Sequence, residues 1–499
     1  MTRGRRSFGD ALKWAFVMNS GRRVTATVFT FLLAALLGPH DFGIVAMALV
    51  YIAVARMLNE QGFTTAIIQR DDLEPEHLDS AFWLNLVWCT LLTGAFAASS
   101  GLWAAANDTP ELGPVALVLS SVILLEGLSI VPQAVMERAL EFKKLAVRMN
   151  VAILLGGLVG VPLALAGAGV WALVAQQLVG DVTLCILLWA FSPWRPHLRF
   201  SRRHARDLLG FSFSVFAANV AGFVNRRADA LLLGLFFGPT AVGLYRLADR
   251  IVDVVLDVTM RPVAVVSLPV LSRLQAEPEK LRETVATCLR TTLIMTVPVM
   301  FVIFTTSHEL MAALGSEWVP AAEGLMLLTL VGIGKGIAFF TGPVLFAAGK
   351  ARFRAVMLWI LAAVSTAAVV GVGALLTDSS TEDQVVGMAA SRAILFVPIL
   401  VPINLWIVAR VTGLRIRSLG SSLPAPLLAG LAAIGAERAL AATALVRDLP
   451  PLAELAVVGL VSSLAAVVVL AALEPRFREQ ARKLRRPAAT AGAAGASGA

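Results

Sequence analysis

Apolar runs too long and too uninterrupted for a water-soluble core recur along this chain, for example Val151 to Leu165 and Leu455 to Leu473. A helix needs about 20 mostly apolar residues to cross a membrane. Inside the hydrocarbon only helices and closed barrels satisfy every backbone N–H and C=O. A barrel would show strands of about 10 residues with alternating polarity. No such alternation is present, so the sequence predicts an all-α integral membrane protein. Composition agrees, with 58% hydrophobic and 15% charged residues and a mean hydropathy of +0.79. Soluble domains carry about 45–50% apolar and 25% charged residues.

Fourteen spans are predicted, at 14–37, 42–59, 80–104, 112–134, 147–166, 169–191, 209–237, 242–270, 286–307, 321–347, 355–377, 385–409, 420–440 and 452–473. Loop charge tests the count, because cytoplasmic loops collect Lys and Arg. With the N-terminus inside, 30 of the 42 basic residues fall in inside segments and two, Arg438 and Arg447, fall outside. A miscounted helix would invert every later loop, so the alternation supports fourteen transmembrane helices with both termini cytoplasmic. The net charge of +9 therefore reflects topology, not nucleic-acid binding. Arg3, Arg5 and Arg6 lead into a long first helix with no small-residue cleavage site, as expected of a retained span and not a leader peptide. Cys89, Cys185 and Cys288 lie far apart, and the five histidines show no ligand spacing. Neither a disulfide nor a metal site is expected, and no cofactor motif is present.

An internal repeat organises the chain. Leu37-Gly38-Pro39-His40-Asp41-Phe42-Gly43 recurs 200 residues later as Phe237-Gly238-Pro239-Thr240-Ala241-Val242-Gly243. Each copy joins one long helix to the next, and the first helix of each pair carries two arginines, Arg22-Arg23 and Arg226-Arg227. Six helices separate the copies, so both run in the same direction. This predicts two pseudosymmetric six-helix lobes with a site between them, an arrangement known in transporters. The expected divisions are 1–206 for the first lobe and 207–419 for the second. Two further helices occupy 420–475, and a basic, then disordered, tail follows at 476–499.

Ionisable residues inside spans are costly and face a partner or a polar path. On helix eight Arg246, Asp249, Arg250, Asp253, Asp257 and Arg261 repeat every three or four residues and share one face. That face either neutralises itself through i, i+4 pairs or lines a polar cavity. Guanidinium matches phosphate bidentately, so the arginine pairs suit an anionic substrate, although arginines near span ends also snorkel. The cationic cavity candidates are Arg22, Arg23, Arg56, Arg226, Arg227, Arg246, Arg250, Lys335 and Arg392. Lys335 and Arg392 read as cations without a partner nearby in sequence. Carboxylates able to bind a coupling proton or cation are Glu60, Asp181, Asp253 and Asp257. No nucleotide-cradling loop or nucleophile motif is present, and loops of about 15–20 residues leave no room for an enzyme domain, so a non-enzymatic transporter is expected.

Three stretches carry a family resemblance. They are Leu37 to Gly43; Gly62-Phe63-Thr64-Thr65-Ala66-Ile67-Ile68-Gln69-Arg70; and His77-Leu78-Asp79-Ser80-Ala81-Phe82-Trp83-Leu84-Asn85. Softer matches follow at Leu268 to Gln275, Leu314 to Ala322 and Thr341 to Leu345. The chain resembles the polysaccharide transporter branch of the multidrug/oligosaccharidyl-lipid/polysaccharide (MOP) superfamily, in particular Wzx-type flippases of the colanic-acid and teichuronic-acid kind. The resemblance implies a MOP/MATE-like fold and a substrate of undecaprenyl-pyrophosphate carrying an oligosaccharide. It further implies alternating access across a bacterial inner membrane, a sufficient monomer, and partners that polymerise and export the glycan. The alternative is an ion-coupled multidrug antiporter of the same superfamily, whose cavity should be dominated by carboxylates. If the cationic face binds the substrate, Arg226→Ala and Arg250→Ala are each expected to impair export while the protein inserts normally. Export by both variants at the wild-type level, measured as surface polysaccharide, would remove that argument.

Overall fold

The structure is a computed structural model that describes residues 25–474 except 60–63, 65–66, 69, 71, 261–262, 264–266, 268–269, 272, 275–276, 416–422 and 444–448; side chains at 203, 205–231 and 351 are also outside the described set. The architecture is all helical. We number the long helices α1 (Thr25–Leu36), α2 (Pro39–Asn59), α3 (Pro75–Ala106), α4 (Leu112–Arg138), α5 (Phe142–Leu165) and α6 (Val170–Phe191). One continuous stretch, Arg202–Thr259, is broken at Gly238 into α7 (202–237) and α8 (239–259). Then come α9 (Pro278–Thr305), α10 (Ser316–Ala347), α11 (Ala351–Leu376), α12 (Thr381–Thr412), α13 (Pro424–Ala441) and α14 (Pro451–Leu473). The fourteen match the fourteen predicted spans one for one. Ten of them are long and apolar enough to cross a membrane by composition alone.

Local chemistry sets the helix ends. Prolines open α2, α3, α9 and α14, where a missing N–H costs nothing and a fixed φ favours the first turn. Gly167 and Gly169, both at positive φ, turn the chain between α5 and α6. Gly238 has φ 76° and ψ −178°, a region essentially closed to residues with a Cβ. It is this residue that separates α7 from α8. Within α12, a π-helical turn at Leu395–Leu400 surrounds Pro398, which has no N–H for the regular ladder.

The chain forms two compact units. The first comprises Met1–Leu247 with Ala355–Met388. Its closest pairing is α5 on α6. Gly156 and Gly160, spaced four apart on α5, abut Gln176 and Ala172 of α6. Small residues at that spacing let transmembrane backbones approach closely. Gly127 of α4 lies against Cys89 of α3, and Gly157 of α5 supports the Phe29 ring of α1. The second unit comprises Ala248–Arg354 with Ala389–Ala499. Here α14 buries Val458, Ser462, Ala466 and Leu470, every fourth residue, and exposes Leu460, Leu464, Val467 and Val468. The buried stripe thus takes in the small Ser462 and Ala466 between Val458 and Leu470. Ala429 and Ala433 of α13 meet Ala466 and Leu470, and Gly430 seats the Phe301 ring of α9.

A Cβ at position 238 forces the chain out of this backbone conformation. Gly238→Ala is therefore expected to cost about 1–3 kcal/mol. A lowered midpoint of thermal unfolding in detergent would show it, with Gly101→Ala, at a site open to space, as the control.

Candidate substrate and coupling residues

The structure resolves the helix-eight ambiguity in part. Lys335, projecting from α10, sits 3.4 Å from Asp249 Oδ1 and 3.4 Å from Asp253 Oδ1. These aspartates are one turn apart on α8, and Asp249 is buried. Lys335 was expected to lack a partner, but it is held by two carboxylates. The expectation missed them because they lie more than 80 residues away in sequence. Arg250 lies on the same helix between the two aspartates. It is half-buried and makes no ion pair among the described residues. Arg246 and Asp257 of α8 are also half-buried.

Arg392 of α12 is 8% exposed, with its guanidinium 5.8 Å from the centre of the Phe396 ring. It stands just before the π-helical turn. The position differs from an open cation facing water: protein covers it, and an aromatic face contributes to its surroundings.

In the first unit, Arg56 of α2 pairs with Glu126 of α4, Nε to Oε1, at 2.5 Å. Asp181 of α6 accepts a 2.7 Å hydrogen bond from the Gln177 amide one turn earlier. It also lies within the electrostatic reach of Arg56. Asp181 therefore differs from Glu126 in having an amide, not a cation, as its hydrogen-bond partner. Arg22, Arg23 and Glu60 lie outside the described residues, as do the side chains of Arg226 and Arg227.

The fold also builds a polar belt that sequence reasoning missed. The connector from α6 to α7 is pinned along the first turns of α3. Trp83 Nε1 donates to the His197 carbonyl at 2.8 Å, and Asp79 Oδ1 accepts from the His197 N–H at 3.1 Å. Ser80 Oγ accepts from the Ser201 N–H at 2.9 Å. Arg199 and His204 approach Glu76 and Glu74 at 3.6 and 3.3 Å. This explains two polar residues of the His77 to Asn85 stretch: Asp79 and Ser80 are buried because they anchor another segment. The detectable signal was four polar residues among apolar neighbours at a helix start.

That belt brings Glu74, His77 and His204 together, with ligand atoms within 4.8 Å of one another, although their sequence spacing gave no sign of it. His77 is committed elsewhere. Its Nδ1 accepts the Glu74 N–H at 3.2 Å in a capping box at the start of α3. The ring proton is then on Nε2, which leaves no lone pair there for a metal. The trio is a helix cap with a neighbouring histidine.

At the far end of the chain, Glu474, 2% exposed, follows α14 and receives both Nη2 and Nε of Arg290 from α9 at 2.7 and 3.2 Å. This fork ties the C-terminal helix pair to α9.

Lys335→Met is expected to lower stability by about 1 kcal/mol, because it takes from Asp249 and the half-exposed Asp253 their cation from α10. Lys335→Arg should retain most of the wild-type stability. Unfolding midpoints of the two purified variants against wild type are the measurement.

With the fold and these groups in place, comparison with known proteins is informative. The chain is 28% identical over 389 residues to the succinoglycan biosynthesis transport protein ExoT of Rhizobium meliloti (strain 1021), covering 77% of each chain. It is 26% identical over 332 residues to the teichuronic acid biosynthesis protein TuaB of Bacillus subtilis (strain 168), covering 65% of this chain and 68% of that one. Its fold is similar to the solved structure of the lipid II flippase MurJ in an inward-closed conformation, with a TM-score of 0.71, 12% identity, and coverage of 94% of this chain and 99% of that one. Residues 32–323 match the family model described as polysaccharide biosynthesis protein. That match takes in more than half of the sequence, and on it the chain belongs to the polysaccharide biosynthesis protein family.

Proposed function

We propose that the chain translocates an undecaprenyl-pyrophosphate-linked oligosaccharide repeat unit across the bacterial cytoplasmic membrane by alternating access, supplying surface polysaccharide synthesis. The observation that carries this reading is the pattern of pairing among its intramembrane charges. Three of the intramembrane carboxylates are held by cations: Asp249 and Asp253 by Lys335, and Glu126 by Arg56. Arg250, a guanidinium within the same charged face, makes no ion pair among the described residues. A diphosphate brings the oxygens that a guanidinium binds bidentately. The drug-antiporter alternative needs the opposite pattern, with carboxylates in excess. Membership of a polysaccharide biosynthesis family and the likeness to a transport protein of succinoglycan biosynthesis support the same cargo class.

In this reading the N- and C-termini are cytoplasmic, residues 1–206 and 207–419 act as the two lobes, and the chain functions as a monomer beside a polymerase and an export apparatus. Substrate contacts fall to Arg250 and the other cations of the face, together with Arg22, Arg23, Arg226 and Arg227. Asp181 is the strongest coupling candidate, because its side chain is steadied by Gln177 without a direct ion pair among the described residues.

The test is deletion of the gene in its host, followed by quantification of undecaprenyl-pyrophosphate-linked oligosaccharide on each side of the inner membrane. The expected result is accumulation of the complete repeat unit on the cytoplasmic side, with loss of the surface polymer. An unchanged lipid pool with unchanged surface polymer would move the weight to the antiporter.

A further inference from the structure

The two copies of the internal repeat touch each other, and they do so reciprocally. A methyl group built on Gly43 would overlap the Pro239 carbonyl oxygen, and one built on Gly243 would overlap the Pro39 carbonyl oxygen. The same methyl on Gly243 would also approach the Gly43 nitrogen at 3.1 Å. Each proline is the first residue of its helix, α2 or α8, and each glycine lies one turn further in. The two helices therefore cross at their N-terminal turns, with the bare Cα of each glycine set on the carbonyl that opens the other helix. Residue i of one copy meets residue j of the other, and j meets i, which is the signature of a two-fold arrangement. Both contacts lie within the first unit.

This accounts for a feature of the motif that helix initiation alone leaves unexplained. A proline start requires nothing of the residue four positions later, yet both copies place glycine there. Backbone contact this close has no room for a Cβ on either side, and Cα–H to carbonyl contacts of this kind recur where helices cross closely. Gly43 and Gly243 are both buried. The conformational break at Gly238 directs α8 into the crossing.

We infer that the reciprocal Pro39–Gly243 and Pro239–Gly43 contacts are a clasp that holds the outer side of the transporter shut. The clasp has to part for cargo to leave to the outside. The inference rests on the flippase reading and on the inside-outside assignment above, which places both Gly-Pro turns at the outer ends of their helices. A contact of backbone on bare Cα at both glycines suits that task, because it closes tightly through shape.

The experiment places cysteines at His40→Cys and Thr240→Cys, flanking the clasp, in a chain whose three native cysteines are replaced and which still restores export in the deletion host. Tethering the pair with a short bismaleimide is expected to lower export at least 10-fold. Each single cysteine treated in the same way should export normally. In parallel, Gly43→Ala and Gly243→Ala are expected to raise labelling of Thr240→Cys by a membrane-impermeant maleimide several-fold over the parent, with Gly101→Ala unchanged. Undiminished export by the fully tethered protein overturns the clasp, whatever the glycine variants do. A lipid pool and a surface polymer both unaffected by deletion instead strike the flippase reading.

Discussion

A charge carried into hydrocarbon must be answered by another group of the protein, because the bilayer interior offers no water to solvate it. That requirement does more here than neutralise. Arg56 with Glu126 joins α2 to α4, Lys335 with Asp249 and Asp253 joins α10 to α8, and Arg290 with Glu474 joins α9 to the end of α14. Apolar faces cannot select such neighbours, since a leucine gains little by exchanging lipid for protein. A handful of ionic contacts between helices distant in sequence therefore supplies specificity that the hydrophobic effect supplies in water-soluble proteins.

Close packing supplies the rest. The protein-facing stripe of α14 is Val458, Ser462, Ala466 and Leu470, with two small residues at its centre, while Leu460, Leu464, Val467 and Val468 look outward. On α5, Gly156 and Gly160 bring the backbone against α6. Contact area in these places comes from short side chains that allow dispersion contacts between backbones. The Gly43 and Gly243 crossing is the limiting case, with a bare Cα at each of the two contacts.

What the sequence made legible follows from these two rules. Hydropathy and loop charge located all fourteen helices, because the bilayer imposes length and polarity on every span separately. The repeat was visible because Gly-Pro is a local backbone requirement, written twice. The pairing was not visible. Lys335 looked solitary because its partners lie on α8, and the buried Asp79 and Ser80 looked like a family signature until the connector from α6 to α7 was seen lying on them. Residues that act through distant contacts leave only their polarity in the sequence, and polarity alone does not say toward what they turn. The break at Gly238 was legible too, since the repeat set it between two helices; the structure adds the φ of 76° and ψ of −178° by which it divides them.

Pairing also separates charges that hold the structure from charges proposed to meet a cargo. A pair such as Arg290 and Glu474, bidentate and with its carboxylate buried, would lose more by admitting a ligand than a ligand returns. Such a pair is part of the scaffold. Arg250 has no such commitment among the described residues and is half-buried. In the reading proposed above, a phosphate oxygen would meet its donors without first breaking an ion pair. A carrier needs contacts of that kind, because cargo bound as firmly as Glu474 is held by Arg290 would not be released.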